Sequence, residues 1–283
     1  MVSLDYIFTS EMLFAAIRLT IPLALAALGT TIIEKSGVIN LGVEGIMLMG
    51  AFFAVLGVEY SKKPIMGMFL ALIVGALLGA IYAVFVLKFN ANQSVLGIGL
   101  NVCASGITVV LTRNFWGSEG LSESVEQLKG LTIPYLSKVP YVGKLFTNIN
   151  IYLVILLLLV FLTHWFIYYT KYGLRLRAIG ENREAAETVG IAVKKYQFYA
   201  VTISGALAAL GGSYLSIVQN NRFVTDMVAG RGFMAIAANI FGNQTPIGST
   251  IASFLFAFAQ AIRINLEVSI PDQFLQMLPY ILT

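Results

Sequence analysis

Read for hydrophobic and polar positions, the chain is a series of long apolar runs separated by short polar gaps. Met12 to Ile33 is the first, Val38 to Val58 the second and Ile65 to Leu87 the third, the last being 23 residues without a charge. At about 1.5 Å per residue, that third run crosses a hydrocarbon core of roughly 30 Å. Val95 to Leu111, Ile151 to Thr170, Tyr196 to Val218 and Ile247 to Ile262 continue the series. Between the last two, Gly230 to Gly242 holds an apolar stretch too short to span, so it reads as a re-entrant or broken helix lying against protein. A further stretch, Gln273 to Thr283, reads as a last span that is incomplete. These runs predict an all-α, polytopic transmembrane protein of about eight membrane segments, forming one membrane domain over residues 1–283. The start, Met1-Val2-Ser3-Leu4-Asp5, lacks a positive n-region and leads into a full span, which predicts that the first helix is retained.

Polar positions inside the runs are few, and each asks for a partner. Arg18 and Pro22 interrupt the first span, the one able to snorkel and the other to bend the helix. Asn40 and Glu44 fall one turn apart if the second run is helical from Val38. An ionisable group in a membrane segment is costly, so both are expected to face a cavity or a subunit contact. In the fourth run Asn101, Ser105 and Thr108 share one face by their spacing. They suit either interhelical hydrogen bonding or the lining of a path for a hydrophilic solute. Gly67, Gly75 and Gly79, then Gly205, Gly211 and Gly212, mark close helix packing. The long connection from Arg113 to Asn150, with Trp116, Tyr135 and Tyr141, suits a partly interfacial loop.

Composition narrows the function. The 283 residues are 58% hydrophobic and 11% charged, with a mean hydropathy of +0.83, whereas soluble domains carry about 25% charged residues. The net charge of +4 is scattered among the connections instead of forming a stripe, which argues against a nucleic-acid partner. One cysteine, Cys103, and one histidine, His164, leave no thiolate or imidazole metal set and no catalytic dyad. His164 is expected to be satisfied by a neighbouring helix. A catalytic site and a bound metal are therefore not expected in this chain.

The one long polar interruption is 172–195. Within it Gly180-Glu181-Asn182-Arg183-Glu184-Ala185-Ala186 and on to Gly190-Ile191 spells a very short helix. Asn182 can cap it, Glu184 and Glu187 lie in its positive half, and Gly190 can end it in the left-handed conformation. So short a helix needs support, because nucleation costs more than its few hydrogen bonds return. Ala185, Ala186, Val189 and Ile191 offer a small apolar surface, ringed by Arg175, Arg177, Arg183, Lys194 and Lys195. That pattern alone also fits a solvated helix between two spans.

This segment, with Gly173-Leu174-Arg175-Leu176-Arg177-Ala178-Ile179 before it, resembles the coupling segment of ABC transporter permeases that import simple sugars, nucleosides and branched-chain amino acids. Ser36-Gly37-Val38-Ile39-Asn40-Leu41-Gly42-Val43-Glu44-Gly45 resembles an early signature of the same family. The chain most resembles the smaller of two permeases in nucleoside uptake systems. The resemblance implies a cell-membrane permease subunit of an ATP-driven importer, whose Gly180, Glu181, Asn182, Glu184, Ala185, Ala186, Gly190 and Ile191 engage a separate ATP-binding subunit. That ATPase would carry the ATP and Mg, since no Gly-x-x-x-x-Gly-Lys-Ser/Thr run occurs here. A second permease subunit, giving a heterodimer, and an extracellular substrate-binding lipoprotein are implied as further partners. Asn40, Glu44, Asn101, Ser105 and Thr108 are the candidates for the translocation path. A sugar or branched-chain amino acid importer is the alternative, and an ion-driven secondary transporter is a more distant one. Lysines and arginines are nearly balanced between the two sides, so the resemblance, and not the charge bias, puts the coupling segment inside.

Overall fold

The computed structural model describes residues 10–118, 120–128 and 150–265, all of whose regular elements are helices. The stretch Gln273 to Thr283, Tyr135, Tyr141 and the first five residues lie outside the described residues. The helices are α1 (Ser10–Glu34), α2 (Val43–Ser61), α3 (Pro64–Lys88) and α4 (Gln93–Trp116), then α5 (Ile151–Tyr169), α6 (Lys171–Glu181) and α7 (Arg183–Thr188). They continue with α8 (Val193–Tyr214), α9 (Arg231–Phe241) and α10 (Pro246–Asn265). Six are long and apolar enough to cross a membrane: α1 to α5, and α8 with the wide π-type turn Leu215–Gln219 that prolongs it. Two further apolar helices, the short α9 and α10, complete the polytopic helical bundle.

Burial sorts these helices into a centre and a rim. Within the most apolar window of each span, α8 is 83% buried, α2 78% and α1 72%, against 33% for α3 and 22% for α4 and α5. In lipid the apolar side chains gain little by leaving the hydrocarbon, so the centre must be held by close packing. Small residues supply it. A Cβ on Gly75 would run into the Gly205 carbonyl, and one on Gly205 would lie 3.0 Å from the Gly79 Cα, so α3 and α8 touch backbone to backbone. Gly50 meets the Ala209 Cα at 2.5 Å in the same sense, where α2 crosses α8. Gly205→Val is therefore expected to destabilise the bundle by about 1–3 kcal/mol, the usual cost of overpacking, read as a lower melting temperature of the detergent-solubilised protein.

Three expectations about element boundaries change, the first being that α4 runs to Trp116, so Arg113 and Trp116 lie on it and not in the connection that follows. Helix α2 begins at Val43, not Val38, because Gly37 is left-handed (φ +74°) and the Asn40 Oδ1 accepts the Gly42 N–H at 2.8 Å, making a turn where helix was expected. Asn40 and Glu44 are thus not stacked one turn apart on a helix. The polar interruption holds two helices, α6 and α7, with Asn182 as the joint between them.

Between α8 and α9 the chain does not cross as helix. Residues 120–128 run against 217–225: Ser122 N–H donates to Phe223 O at 3.0 Å, Phe223 N–H to Ser122 Oγ at 2.8 Å and Val125 N–H to Asn221 O at 2.8 Å. Phe223 is fully buried against Phe52, with ring centroids 5.3 Å apart. Cross-chain bonds thus hold this irregular stretch in place, as non-helical chain packed inside a membrane protein requires. It ends at Gly230, where α9 starts.

Candidate functional site: the coupling end and the pinned half-helix

One end of the bundle gathers the turn after α1, the turn before α4 and all of α6 and α7. A Cβ on Gly180 would meet the Lys35 carbonyl at 2.6 Å, so α6 lies directly on the α1 turn. Gln197 Nε2 donates to Ser36 O at 2.9 Å, and the Tyr82 hydroxyl lies 2.9 Å from the carbonyl oxygens of Ile39 and of Gln93. At the start of α6, Thr170 Oγ1 accepts the Gly173 N–H at 3.1 Å. The buried Nδ1 of His164 has no hydrogen-bond partner among the described residues. Its ring packs 4.9 Å from Tyr168 one turn on in α5, and the Arg177 guanidinium of α6 covers Tyr168 at 5.2 Å.

The short helix follows its local chemistry. Asn182 Oδ1 accepts the Ala185 N–H at 3.0 Å, Arg183 and Glu187 pair at 3.3 Å, and Gly190 ends the segment at φ +80°. Its apolar side chains, however, do not form one outward surface. Ala186 is buried at 3% exposure in a small core with Ile179 and Val193, which the half-buried Ile191 and Tyr196 close. Ala185, Glu181, Glu184, Thr188 and Val189 face out, Val189 being 74% exposed. The support that so short a helix requires is thus supplied by this chain, and the surface open to a partner is the opposite one.

Two of the path candidates, Asn101 and Glu44, tie one helix to another. Asn40 is 2% exposed in its own turn. Asn101 bridges α4 to α2, its Nδ2 donating to Leu41 O at 2.9 Å and its Oδ1 accepting the Gly45 N–H at 2.8 Å. Thr108 is fully buried and donates to Ser105 O at 2.9 Å, with Ser105 half-buried beside it. Glu44 has the most specific setting: its carboxylate accepts the Gly230 N–H at 2.7 Å and the Gly232 N–H at 2.6 Å. These are donors that the first turn of α9 leaves without helical partners, and a carboxylate there also opposes the positive end of the helix. Arg231 folds back with its Nη1 3.0 Å from Met227 O and from Val228 O.

The other end of α9 is held by residues that the sequence pattern did not single out. Asn239, fully buried, donates from Nδ2 to Glu34 Oε2 at 2.7 Å, while its Oδ1 accepts from Thr31 Oγ1 at 2.6 Å and Ser249 Oγ at 2.9 Å. A polar side chain in the middle of a short apolar helix was the available signal. The broken span is therefore tied by one carboxylate from α2 and one from α1.

Central helices packed through glycine, a half-helix held by carboxylates and a small helix at one end make this a polytopic membrane bundle. Residues 12–283 match the model of the branched-chain amino acid transport system permease component, and the chain belongs to that permease family. It is 37% identical to the guanosine ABC transporter permease protein NupQ of Bacillus subtilis and 34% to the nucleoside ABC transporter permease protein NupC of Lactococcus lactis, each over 93% of this chain and 86% of the relative. A Haloferax volcanii protein, named as a candidate glucose ABC transporter permease, is 31% identical over 91% of this chain and 78% of its own length. A second guanosine permease of Bacillus subtilis, NupP, is 28% identical over 91% and 75% respectively. No solved structure matches the chain. The protein is a multi-pass permease of the bacterial plasma membrane and not an enzyme, and its family works with an ATP-binding subunit and a substrate-binding protein.

Proposed function

We propose that the chain imports nucleosides as one of two different permeases in an ABC transporter, and that its coupling end faces the cytoplasm. The similarity to NupQ and NupC carries the solute class, and the resemblance of this chain to both NupQ and NupP of one organism supports a heterodimer. The partner ATPase binds the ATP and Mg and grips the outer side of α7 through Glu181, Glu184, Ala185 and Val189. Gly180, Asn182, Gly190, Ile191 and Ala186 keep that side in place. ATP binding and hydrolysis then bias two states of the permease pair, because the ATPase has different contact energy with each.

The solute path in this reading runs beside the broken span. Asn40 and Asn101 shape it by fixing the start of α2 and its contact with α4, Ser105 and Thr108 border it on α4, and Glu44 sets the position of α9. Half-helices in transporters commonly end near the path.

The test is uptake into cells or inside-out-free vesicles carrying the whole transporter, with labelled guanosine, adenosine, uridine, ribose, glucose and leucine in parallel. ATP-dependent accumulation of nucleosides, competed by nucleosides and not by ribose, glucose or leucine, is expected. Preference for glucose or leucine would move the assignment to the sugar or amino acid branch. Accumulation driven by an ion gradient without ATP would overturn the coupling.

A further inference from the structure

Beside α7 the coupling end carries a groove of about 640 Å³ whose cationic walls the importer mechanism does not use, while its α7 end is shared with the coupling surface. Tyr172 and Arg175 of α6 form one wall, Lys195, Tyr196 and Tyr199 of α8 the other, and Val189 and Ile191 close the end toward α7. No carboxylate is among its lining residues. Arg175 Nη1 donates to the Tyr196 hydroxyl at 2.8 Å, which holds the guanidinium over the groove and leaves its other N–H donors for a ligand. Lys195 faces it as a second, exposed cation.

From the groove an exposed strip continues along α8. Helix α8 is the most buried span, yet Lys195, Tyr199 and Ile203, at successive four-residue steps, leave one uncovered strip, with Tyr199 54% and Ile203 44% exposed. Along a helix these steps descend by about 6 Å each, so the strip passes from cation to phenol to alkyl group over roughly 12 Å. That order matches the layers of a membrane leaflet: phosphate, ester region, acyl chain. Ile203 lies more than two turns into the span, where an exposed alkyl group suits an acyl chain.

We propose that this groove binds an anionic phospholipid of the cytoplasmic leaflet, with Arg175 and Lys195 on the phosphate headgroup and an acyl chain along Tyr199 and Ile203. The assignment rests on the cytoplasmic orientation given above, but not on the solute or on ATP. It is tested with the assembled transporter, free of solute and ATP, in bilayer discs of phosphatidylcholine alone or mixed with phosphatidylglycerol, followed by native mass spectrometry of the retained lipid. The unmodified complex is expected to retain phosphatidylglycerol in preference to phosphatidylcholine. The R175Q/K195Q variant should lose that retention by roughly thirtyfold, the factor two surface cations contribute toward an anionic lipid. R175K/K195R, which keeps the charges, should retain most of it.

Equal phosphatidylglycerol retention by the unmodified and neutralised complexes would overturn the proposal. So would charge-dependent binding of inorganic phosphate to the lipid-free complex in place of lipid, which would make the groove a free-anion site. Loss of the ATPase subunit from the R175Q/K195Q complex with lipid retention unchanged would assign the groove to that protein instead. Failure of nucleoside uptake, by contrast, leaves the lipid result standing.

Discussion

Replacing Glu44 by alanine is expected to abolish most transport while leaving the six long spans in place. The carboxylate takes two first-turn N–H groups of α9, those of Gly230 and Gly232, at 2.7 and 2.6 Å. Without it the buried Gly232 and the half-buried Gly230 both lose their acceptor, and an unsatisfied buried group costs about 1–3 kcal/mol. A combined loss of ~2 kcal/mol or more exceeds the ~1.4 kcal/mol that changes an equilibrium tenfold, so nucleoside uptake should fall by at least about that factor. Glu44→Gln keeps one acceptor oxygen but turns an amide donor toward a donor, and should lie between the two. Gly232 tests the same joint from the other side, since its Cβ would fall 2.6 Å from the Glu44 Cα and so Gly232→Ala forces α9 off α2. The measurements are vesicle uptake and thermal unfolding of the purified permease. Uptake by Glu44→Ala at the unmodified rate, with the protein folded, would show that the position of α9 does not depend on this carboxylate.

How much of this was legible in the residues follows from how local each signal is. The long spans were, because a run such as Ile65 to Leu87 carries its own length and apolarity, and the short stretch around Arg231–Phe241 betrayed a broken span by length alone. The cap at Asn182 and the stop at Gly190 were legible for the same reason, since both act on backbone within three residues. The start of α2 was not: a side chain at Asn40 turning back on Gly42 defeats an apolar pattern that continues through it. Helix α6 was hidden in what reads as a polar linker, its buried Gly173, Leu176 and Ile179 spaced three apart among charges. The Asn239 to Glu34 bond joins positions 205 residues apart, and no local pattern announces such a pair. The facing of Ala186 failed to emerge for a related reason: a helix of under two turns presents alanines on several sides, and which is inward depends on α6 and α8 folding around it.

That facing makes two adjacent alanines behave differently. Ala186→Trp places a large ring in a packed core of Ile179, Val193, Ile191 and Tyr196, where overpacking costs about 1–3 kcal/mol or more. A helix worth only a cap and a few hydrogen bonds cannot absorb that, the N-cap itself contributing about 1 kcal/mol. The whole coupling segment should rearrange, with a lower melting temperature of the permease and loss of both ATPase binding and uptake. Ala185→Trp adds the same ring on the exposed side. The permease should keep its melting temperature, because nothing of its own is displaced, while ATP-driven uptake falls by tenfold or more and the ATPase subunit no longer co-purifies. Comparing melting temperature, co-purification and uptake for the two variants therefore separates folding of the segment from its use. If Ala185→Trp transports normally and still holds the ATPase, the outer side of α7 is not where the motor grips, and the gripping surface must be sought on α6 or at the first turn of α8.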